Sequence, residues 1–134
     1  MRSFVAVVST VVVVTLAAGA SLVAHHSFAA EYDRTKPITL KGTVTKVEWQ
    51  NPHIYFYLDV KDTAGHLENW AIEGGAPNAL YRAGWRKDSV QAGNEVTVEG
   101  WLAKSGAKLA NMRSVVLADG RRVFGASSAG EQQN

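Results

Sequence analysis

The chain of 134 residues contains no cysteine. That absence excludes a disulfide scaffold, a lipid-modified cysteine and a thiolate metal site. Strong charge of one sign is also missing, because 14 Lys and Arg stand against 12 Asp and Glu, and the basic residues form no run. Such a composition builds no strong positive field of the kind that nucleic-acid binding uses, so we expect no nucleic-acid partner.

A long uncharged run opens the chain behind a single arginine, because no charged side chain occurs from Phe4 to Ala24. This pattern is typical of a secretory signal peptide, and we assign residues 1–24 to one. Cleavage after Ala20 fits the preference for small residues, whereas cleavage after Ala24 puts Leu22 at a position where a small residue is preferred. About 20 apolar residues also just span a bilayer, so an uncleaved leader would be a membrane anchor. We therefore expect a periplasmic or secreted protein that contacts a membrane only through an uncleaved leader.

The part of the chain that follows the leader is about 110 residues long, which suits one domain. We divide it into an N-terminal segment over residues 25–37, a barrel over residues 38–124 and a tail over residues 125–134. The tail is rich in Gly, Ser, Ala and Gln and has no large apolar side chain, so we predict that it is disordered.

The centre of the chain predicts β-structure, because apolar side chains alternate there with period two. The alternation slips by one residue between Val44 and Val47, which predicts a bend or bulge within one long strand. Residues 77–84 suit a short helix with proline at its start and glycine at its end, and we expect Leu80 and Tyr81 to plug the barrel. The predicted strands are residues 38–44 with a continuation to 49, then 53–60, 67–73, 95–102, 109–117 and 121–124.

Three strands, one short helix and then further strands is the order of an OB-fold, a small Greek-key barrel. We therefore predict an all-β, five- to six-stranded OB-fold-like Greek-key barrel with one short helix between strands three and four. An immunoglobulin-like sandwich is the alternative, but it would require about seven strands and no helix at this place.

Several short motifs stand out from this alternating pattern: His25-His26-Ser27-Phe28 followed by Glu31-Tyr32-Asp33, Leu40-Lys41-Gly42-Thr43-Val44, Trp49-Gln50-Asn51-Pro52-His53, and Gly84-Trp85 with Gly100. Together they resemble a family of short exported bacterial proteins that is classed as a domain of unknown function. The resemblance covers roughly residues 24–124. It implies export, an OB-like barrel and a mature chain that begins at the histidine pair, and it implies no activity.

Histidines are the first candidate ligands. Cleavage after Ala24 would give His25 a free α-amine beside its imidazole, with His26 next to it. Imidazole suits copper, zinc and nickel, and without cysteine the site would favour Cu(II) or Zn; His53 is the third predicted ligand. The alternative is that the pair is merely polar and that His53 is a turn residue, since the spacing matches no zinc or EF-hand signature.

Aromatic side chains form the second candidate site. Tyr55 and Tyr57 share one face of predicted strand two, and Trp101 lies on the corresponding face of strand four. OB-folds commonly bind ligands over strands two and three, so these rings are candidates for contact with an envelope protein. The alternative is that they pack beneath the N-terminal segment, residues 28–32.

A third surface contains Arg82, Arg86 and Lys87 around Trp85. These cations would suit an acidic partner or lipid headgroups. The alternative is a solvated helix end, because cations are favourable near helix C-termini.

Residue types that suit catalysis are present, since Ser27, His53 and Asp59 or Asp62 are the members of a triad. Types alone mean little, because such a triad is recognised by its geometry, and neither a G-x-S-x-G elbow nor a phosphate-binding loop occurs. We predict a non-enzymatic, exported binding module that captures copper or zinc through its N-terminal histidines. The alternative is a cell-envelope protein-interaction module that uses the aromatic face.

Overall fold

The computed structural model describes residues 28–126. The leader, His25, His26, Ser27 and the tail from residue 127 lie outside these residues, so the assignments made for them stay predictions. A single helical turn over residues 28–31 leads into the first strand. The elements that follow are β1 (Tyr32–Glu48), β2 (Tyr55–Lys61), β3 (Leu67–Glu73), α1 (Pro77–Arg82), β4 (Glu95–Ala103), β5 (Leu109–Val116) and β6 (Arg122–Phe124).

The strands form one sheet in the order β3-β2-β1-β4-β5-β6, and an additional pairing of β3 with β5 closes it. All pairs are antiparallel except β3 with β5, which is parallel and joins residues 71–73 to residues 109–111. The closed part is a five-stranded barrel. β6 pairs with residues 114–116 of β5, beyond the segment of β5 that pairs with β3. This connectivity, with α1 between β3 and β4, is that of the predicted OB-fold-like barrel. The sandwich alternative, which needs two separate sheets, is excluded.

The long first strand bends where the sequence predicts it. β1 pairs with β4 through its first part and with β2 through its last part, and its register against β2 shifts between Val44 and Lys46. The extra residue, Thr45, produces the slip in alternation and lets one strand serve both sides of the barrel. β1 starts at Tyr32, six residues before the predicted start. The prediction missed these residues because the polar stretch after Tyr32 shows no alternation of apolar and polar side chains.

The core contains one large cluster of buried side chains within the barrel. Leu80 of α1 is fully buried there and plugs the barrel as predicted, and Trp85 fills the space beside it. The prediction that Tyr81 also plugs the barrel is wrong, because its ring is 39% exposed. Successive helical residues point about 100° apart, so a helix this short can direct only one of the two neighbours inward. The inward-facing set is Leu40, Val44, Ile54, Phe56, Leu58, Ile72, Leu80, Trp85, Val90, Val96, Val98, Ala110, Met112, Val115 and Leu117.

Gly100 allows β4 and β5 to approach each other closely. Their register shifts between Glu99 and Gly100, and a Cβ atom on Gly100 would lie 2.1 Å from the carbonyl oxygen of Asn111. Any larger residue would therefore push the two strands apart at the level of Trp101. Within residues 28–126, no helix is long and apolar enough to cross a bilayer.

Candidate functional site

Residues 28–32, which we call the N-terminal strap, lie across the outer face of β4. The ring of Phe28 stacks on Tyr32 at 5.5 Å and meets Trp101 edge-on at 5.6 Å between centroids. Lys104 is hydrogen-bonded to the strap, because its backbone amide donates to the carbonyl of Glu31 at 2.8 Å. Its ammonium group donates to the carbonyl of Ala29. The strap therefore forms a second, smaller apolar cluster on the outside of the barrel.

Substitution of Phe28 by alanine is expected to detach the strap and leave the barrel folded. Truncating a buried phenylalanine costs about 3–5 kcal/mol, and the strap can release without opening the main core. The measurement is hydrogen exchange of the Lys104 amide, whose bond to Glu31 reports strap docking. Phe124→Ala, at an exposed ring, is the matched control and should leave this amide protected. Undiminished protection in Phe28→Ala would show that the ring does not hold the strap.

A row of directly paired residues runs around the barrel from β4, beneath the strap, to the end of β1. Trp101 pairs with Asn111, Asn111 with Glu73, Glu73 with Tyr55, and Tyr55 with Glu48. Because side chains alternate along each strand, these residues share the outer face while their neighbours fill the core. Asn111 and Glu73 are nevertheless buried. Within residues 28–126, the side-chain oxygen of Asn111 has no hydrogen-bond donor. The row thus buries two polar acceptors on the outer face of the barrel.

Glu73 is the centre of the polar contacts in this row. The residue is 7% exposed, and Oε2 accepts hydrogen bonds from the hydroxyl of Tyr32 at 2.5 Å and of Tyr55 at 2.9 Å. Burial, followed by the bond to the Glu73 carboxylate, raises the pKa of both tyrosines. Because Tyr32 belongs to the strap, its bond to Glu73 ties the N-terminal end of the described chain to β3.

His53 approaches the other oxygen of the same carboxylate. It follows the cis Asn51–Pro52 bond, and its Nδ1 lies 3.1 Å from the carbonyl oxygen of Gly74 and 3.6 Å from Oε1 of Glu73. A carbonyl oxygen only accepts hydrogen bonds, so Nδ1 carries the proton. In the neutral ring Nε2 is then unprotonated and is the nitrogen with a free lone pair.

Tyr57 belongs to a separate network, although it shares a face with Tyr55. Its hydroxyl donates to Glu48 at 3.2 Å, and Lys46 contacts the other oxygen of Glu48 at 2.7 Å. The hydrogen bond and charge of Lys46 hold the pKa of Glu48 below its usual value. Tyr57 therefore contacts an exposed ion pair, whereas Tyr55 contacts the buried carboxylate.

The structure joins some of the predicted site residues and separates others. Tyr55 and Trp101 lie in the same row, but Trp101 is only 8% exposed because the strap covers it. This arrangement matches the packing alternative for that ring. His53 lies against Glu73, while its predicted partners His25 and His26 are outside the described residues. Within residues 28–126, no three His, Asp or Glu side chains form a group that could hold a metal ion.

The acids of the considered triad do not meet His53. Asp59 accepts a hydrogen bond from Asn69 at 2.9 Å, and Asp62 accepts from the amides of its own turn. Ser27 lies outside the described residues. The carboxylate that does reach His53 is Glu73.

Solved structures with a similar fold share little sequence with this chain. A mitochondrial single-stranded DNA binding protein of S. cerevisiae, Rim1, is 12% identical over 62% of this chain and 93% of its own, with a TM-score of 0.48. The N-terminal domain of PriB from Thermoanaerobacter tencongensis is 18% identical over 63% of this chain and 98% of its own, with a TM-score of 0.43. TiaS, in a complex with a tRNA and ATP, is 18% identical over 63% of this chain, which spans only 18% of its length, with a TM-score of 0.46. At this level the similarity concerns the fold alone.

The expectation that nucleic acid is not a partner is contradicted by these neighbours, one of which is named for binding single-stranded DNA. Near-neutral net charge does not exclude a nucleic-acid partner, because net charge averages over a surface on which cations can still cluster. The ligands of these neighbours belong to those proteins and are not assigned to this chain.

Among curated proteins, none matches this chain. A family model does match it, over residues 11–112, which is most of its length. The match extends from the uncharged N-terminal run through the strap and the row around Glu73 to β5. The chain therefore belongs to a family of unknown function, DUF6152.

Proposed function

We propose that this protein is an exported binding module that captures a transition metal, copper(II) or zinc, through His25, His26 and His53. The observation that carries the proposal is the orientation of His53, whose Nδ1 faces the Gly74 carbonyl and the Glu73 carboxylate. Metal-binding histidines almost always donate their second ring N–H to such a group, which fixes the tautomer and makes the ligating nitrogen more basic. In His53 the nitrogen that faces such groups is Nδ1, so Nε2 is the nitrogen left to bind the metal.

The strap supplies a reason why His25 and His26 belong with His53. The described chain begins at Phe28, whose ring stacks on Tyr32, and Tyr32 donates to the carboxylate that contacts His53. His26 is two residues before Phe28, a span of at most about 7 Å. The histidine pair is thus tethered close to the strap that Glu73 holds.

Charge and composition also support capture of a cation. The carboxylate of Glu73 places negative charge 3.6 Å from the imidazole of His53, and negative charge attracts a metal cation. Without cysteine the chain offers nitrogen and oxygen ligands, which suit Cu(II) and Zn(II). Export is part of the proposal and rests on the uncharged run from Phe4 to Ala24.

The alternative function, partner capture on the face of Tyr55, Tyr57 and Trp101, has less support. The strap covers Trp101, and Tyr55 is bonded to Glu73. We also propose capture rather than catalysis, because the acid that reaches His53 is already bonded to two tyrosines.

Substitution of His53 by alanine is expected to weaken Cu(II) binding by at least about tenfold, because loss of a ligand or of its orienting contacts has effects of this size. The measurement is a competition titration of the exported protein against a chelator of known affinity. His66→Ala is the matched control, since His66 is an exposed histidine of the turn between β2 and β3. Equal affinities in the two variants would remove His53 from the site.

The role of the α-amine needs a second measurement. Intact mass of the exported protein, with and without copper, gives the cleavage site and the metal stoichiometry together. Protein that starts at His25 is expected to bind Cu(II) more tightly than the same protein with additional residues ahead of His25. Equal binding by the two forms would show that the α-amine is not a ligand.

A further inference from the structure

Three exposed cations lie close together in the sequence, at α1 and the loop after it. Residues 77–91 contain three cations, Arg82, Arg86 and Lys87, and one acid, Asp88. The rest of the chain after the leader has ten basic and eleven acidic residues. All three cations are exposed, and within residues 28–126 none of them forms an ion pair. Three cations against one acid give this segment a net positive charge.

Aromatic rings lie beside one of these cations, Arg86. Tyr81 is exposed, and the half-buried Trp49 meets its ring at 5.5 Å and that of Trp85 at 6.5 Å. Arg86 lies 5.8 Å from the centroid of Tyr81, and its Nη1 donates to the carbonyl of Trp85 at 2.6 Å. Trp85 is itself fully buried and donates from Nε1 to the carbonyl of Phe124 at 2.8 Å. The buried Trp85 therefore holds both Arg86 and the ring of Trp49 in place.

We propose that this basic-aromatic patch, formed by Trp49, Tyr81, Arg82, Arg86 and Lys87, docks the protein on an anionic lipid surface. Tyrosine and tryptophan prefer the boundary between headgroups and acyl chains, where the ring is in contact with hydrocarbon and the polar end with water. Each cation near an anionic membrane strengthens binding about fivefold, so three cations together contribute about a hundredfold. The combination of adjacent rings and unpaired cations matches both contributions.

The same features suit single-stranded nucleic acid less well. Stacking of successive bases requires several accessible rings along a basic groove. In this patch Tyr81 is the exposed ring, while Trp85 is buried and Trp49 lies against the other two. Three cations also give only a short track for phosphates.

The test is cosedimentation of the exported protein with vesicles of phosphatidylcholine, either alone or mixed with phosphatidylglycerol. Phosphatidylcholine vesicles measure any contribution of the N-terminal apolar run. The triple variant Arg82→Gln, Arg86→Gln, Lys87→Gln is expected to lose about a hundredfold in binding to the phosphatidylglycerol vesicles. The matched control is Lys36→Gln, Lys41→Gln, Lys61→Gln, which removes the same net charge from exposed positions on β1 and β2. It is expected to bind like the unaltered protein.

Further arms separate docking on the lipid surface from a net-charge effect and from nucleic-acid binding. Added salt should abolish the dependence on phosphatidylglycerol, because screening weakens contacts between exposed charges. Tyr81→Ser should also weaken vesicle binding relative to the unaltered protein, although it changes no charge. Equal losses in the two triple variants would show a net-charge effect and overturn the proposal. Binding to an oligothymidine that is lost only in the patch variant, with vesicle binding unchanged, would assign the patch to nucleic acid instead.

Discussion

The free energy of unfolding is expected to fall steeply above about pH 10, and Tyr32→Phe is expected to flatten that fall. Burial and the bond to Glu73 raise the pKa of Tyr32 and of Tyr55 in the folded protein. The stabilisation is complete below the ordinary tyrosine pKa, near 10. Above it the unfolded chain loses protons that the folded protein retains, so stability decreases until the pH passes the raised pKa. Each such tyrosine contributes a slope of up to about 1.4 kcal/mol per pH unit.

The measurement is a series of urea titrations between neutral and alkaline pH. Tyr32 is 2% exposed and should keep its proton to a higher pH than the partly buried Tyr55. Tyr81→Phe, at an exposed ring, is the matched control and should decline in parallel with the unaltered protein. If Tyr32→Phe also declines in parallel, the contact between Tyr32 and Glu73 does not hold the proton.

Substitution of Trp85 by alanine is expected to lower the free energy of unfolding by about 3–5 kcal/mol, as for other large aromatic residues in cores. A domain of this size is stable by about 5–15 kcal/mol in total, so this loss is a large fraction of the free energy of unfolding. Trp85 is fully buried, packs near Trp49 and is bonded to the carbonyl of Phe124. Its loss removes core volume and releases β6 as well.

A conservative variant separates these two contributions. Trp85→Phe keeps most of the ring volume but cannot donate to Phe124, so it should cost less than the alanine substitution. The amides of β6 should still exchange faster in it. Urea titration and hydrogen exchange measure the two effects. A loss below about 1 kcal/mol in Trp85→Ala would contradict the position of this ring in the core.

Local patterns in the sequence predict most of the fold. The period-two alternation predicts β3 at residues 67–73, and the one-residue slip after Val44 predicts the bulge at Thr45. Pro77 predicts the start of α1, because proline suits the first position of a helix. The start of β1 at Tyr32 is not predictable in this way, because pairing with Ala103 and packing under Phe28 hold it rather than any alternation. Tertiary contact decides where this strand begins.

The candidate site is only partly predictable. His53 stands out by its type and by the proline before it, yet the importance of Glu73 depends on strand register. Its carboxylate meets Tyr32, 41 residues away in sequence, because β3 pairs with both β2 and β5. Alternation does give one signal, since Glu73 follows the inward-facing Ile72 and must therefore point to the outer face. Which residues it meets there requires the closed barrel.

The parallel joint between β3 and β5 has a consequence for the behaviour of the protein at high concentration. It is three residue pairs long, the shortest of the joints that close the barrel. Release of these pairs would turn the closed barrel into an open sheet. Its two edge strands, β3 and β5, could then each pair with a strand from another molecule. The Glu68–Lys108 ion pair, at 3.0 Å, lies next to that joint at the start of β5. A few hydrogen bonds there keep these strand edges from pairing with another molecule.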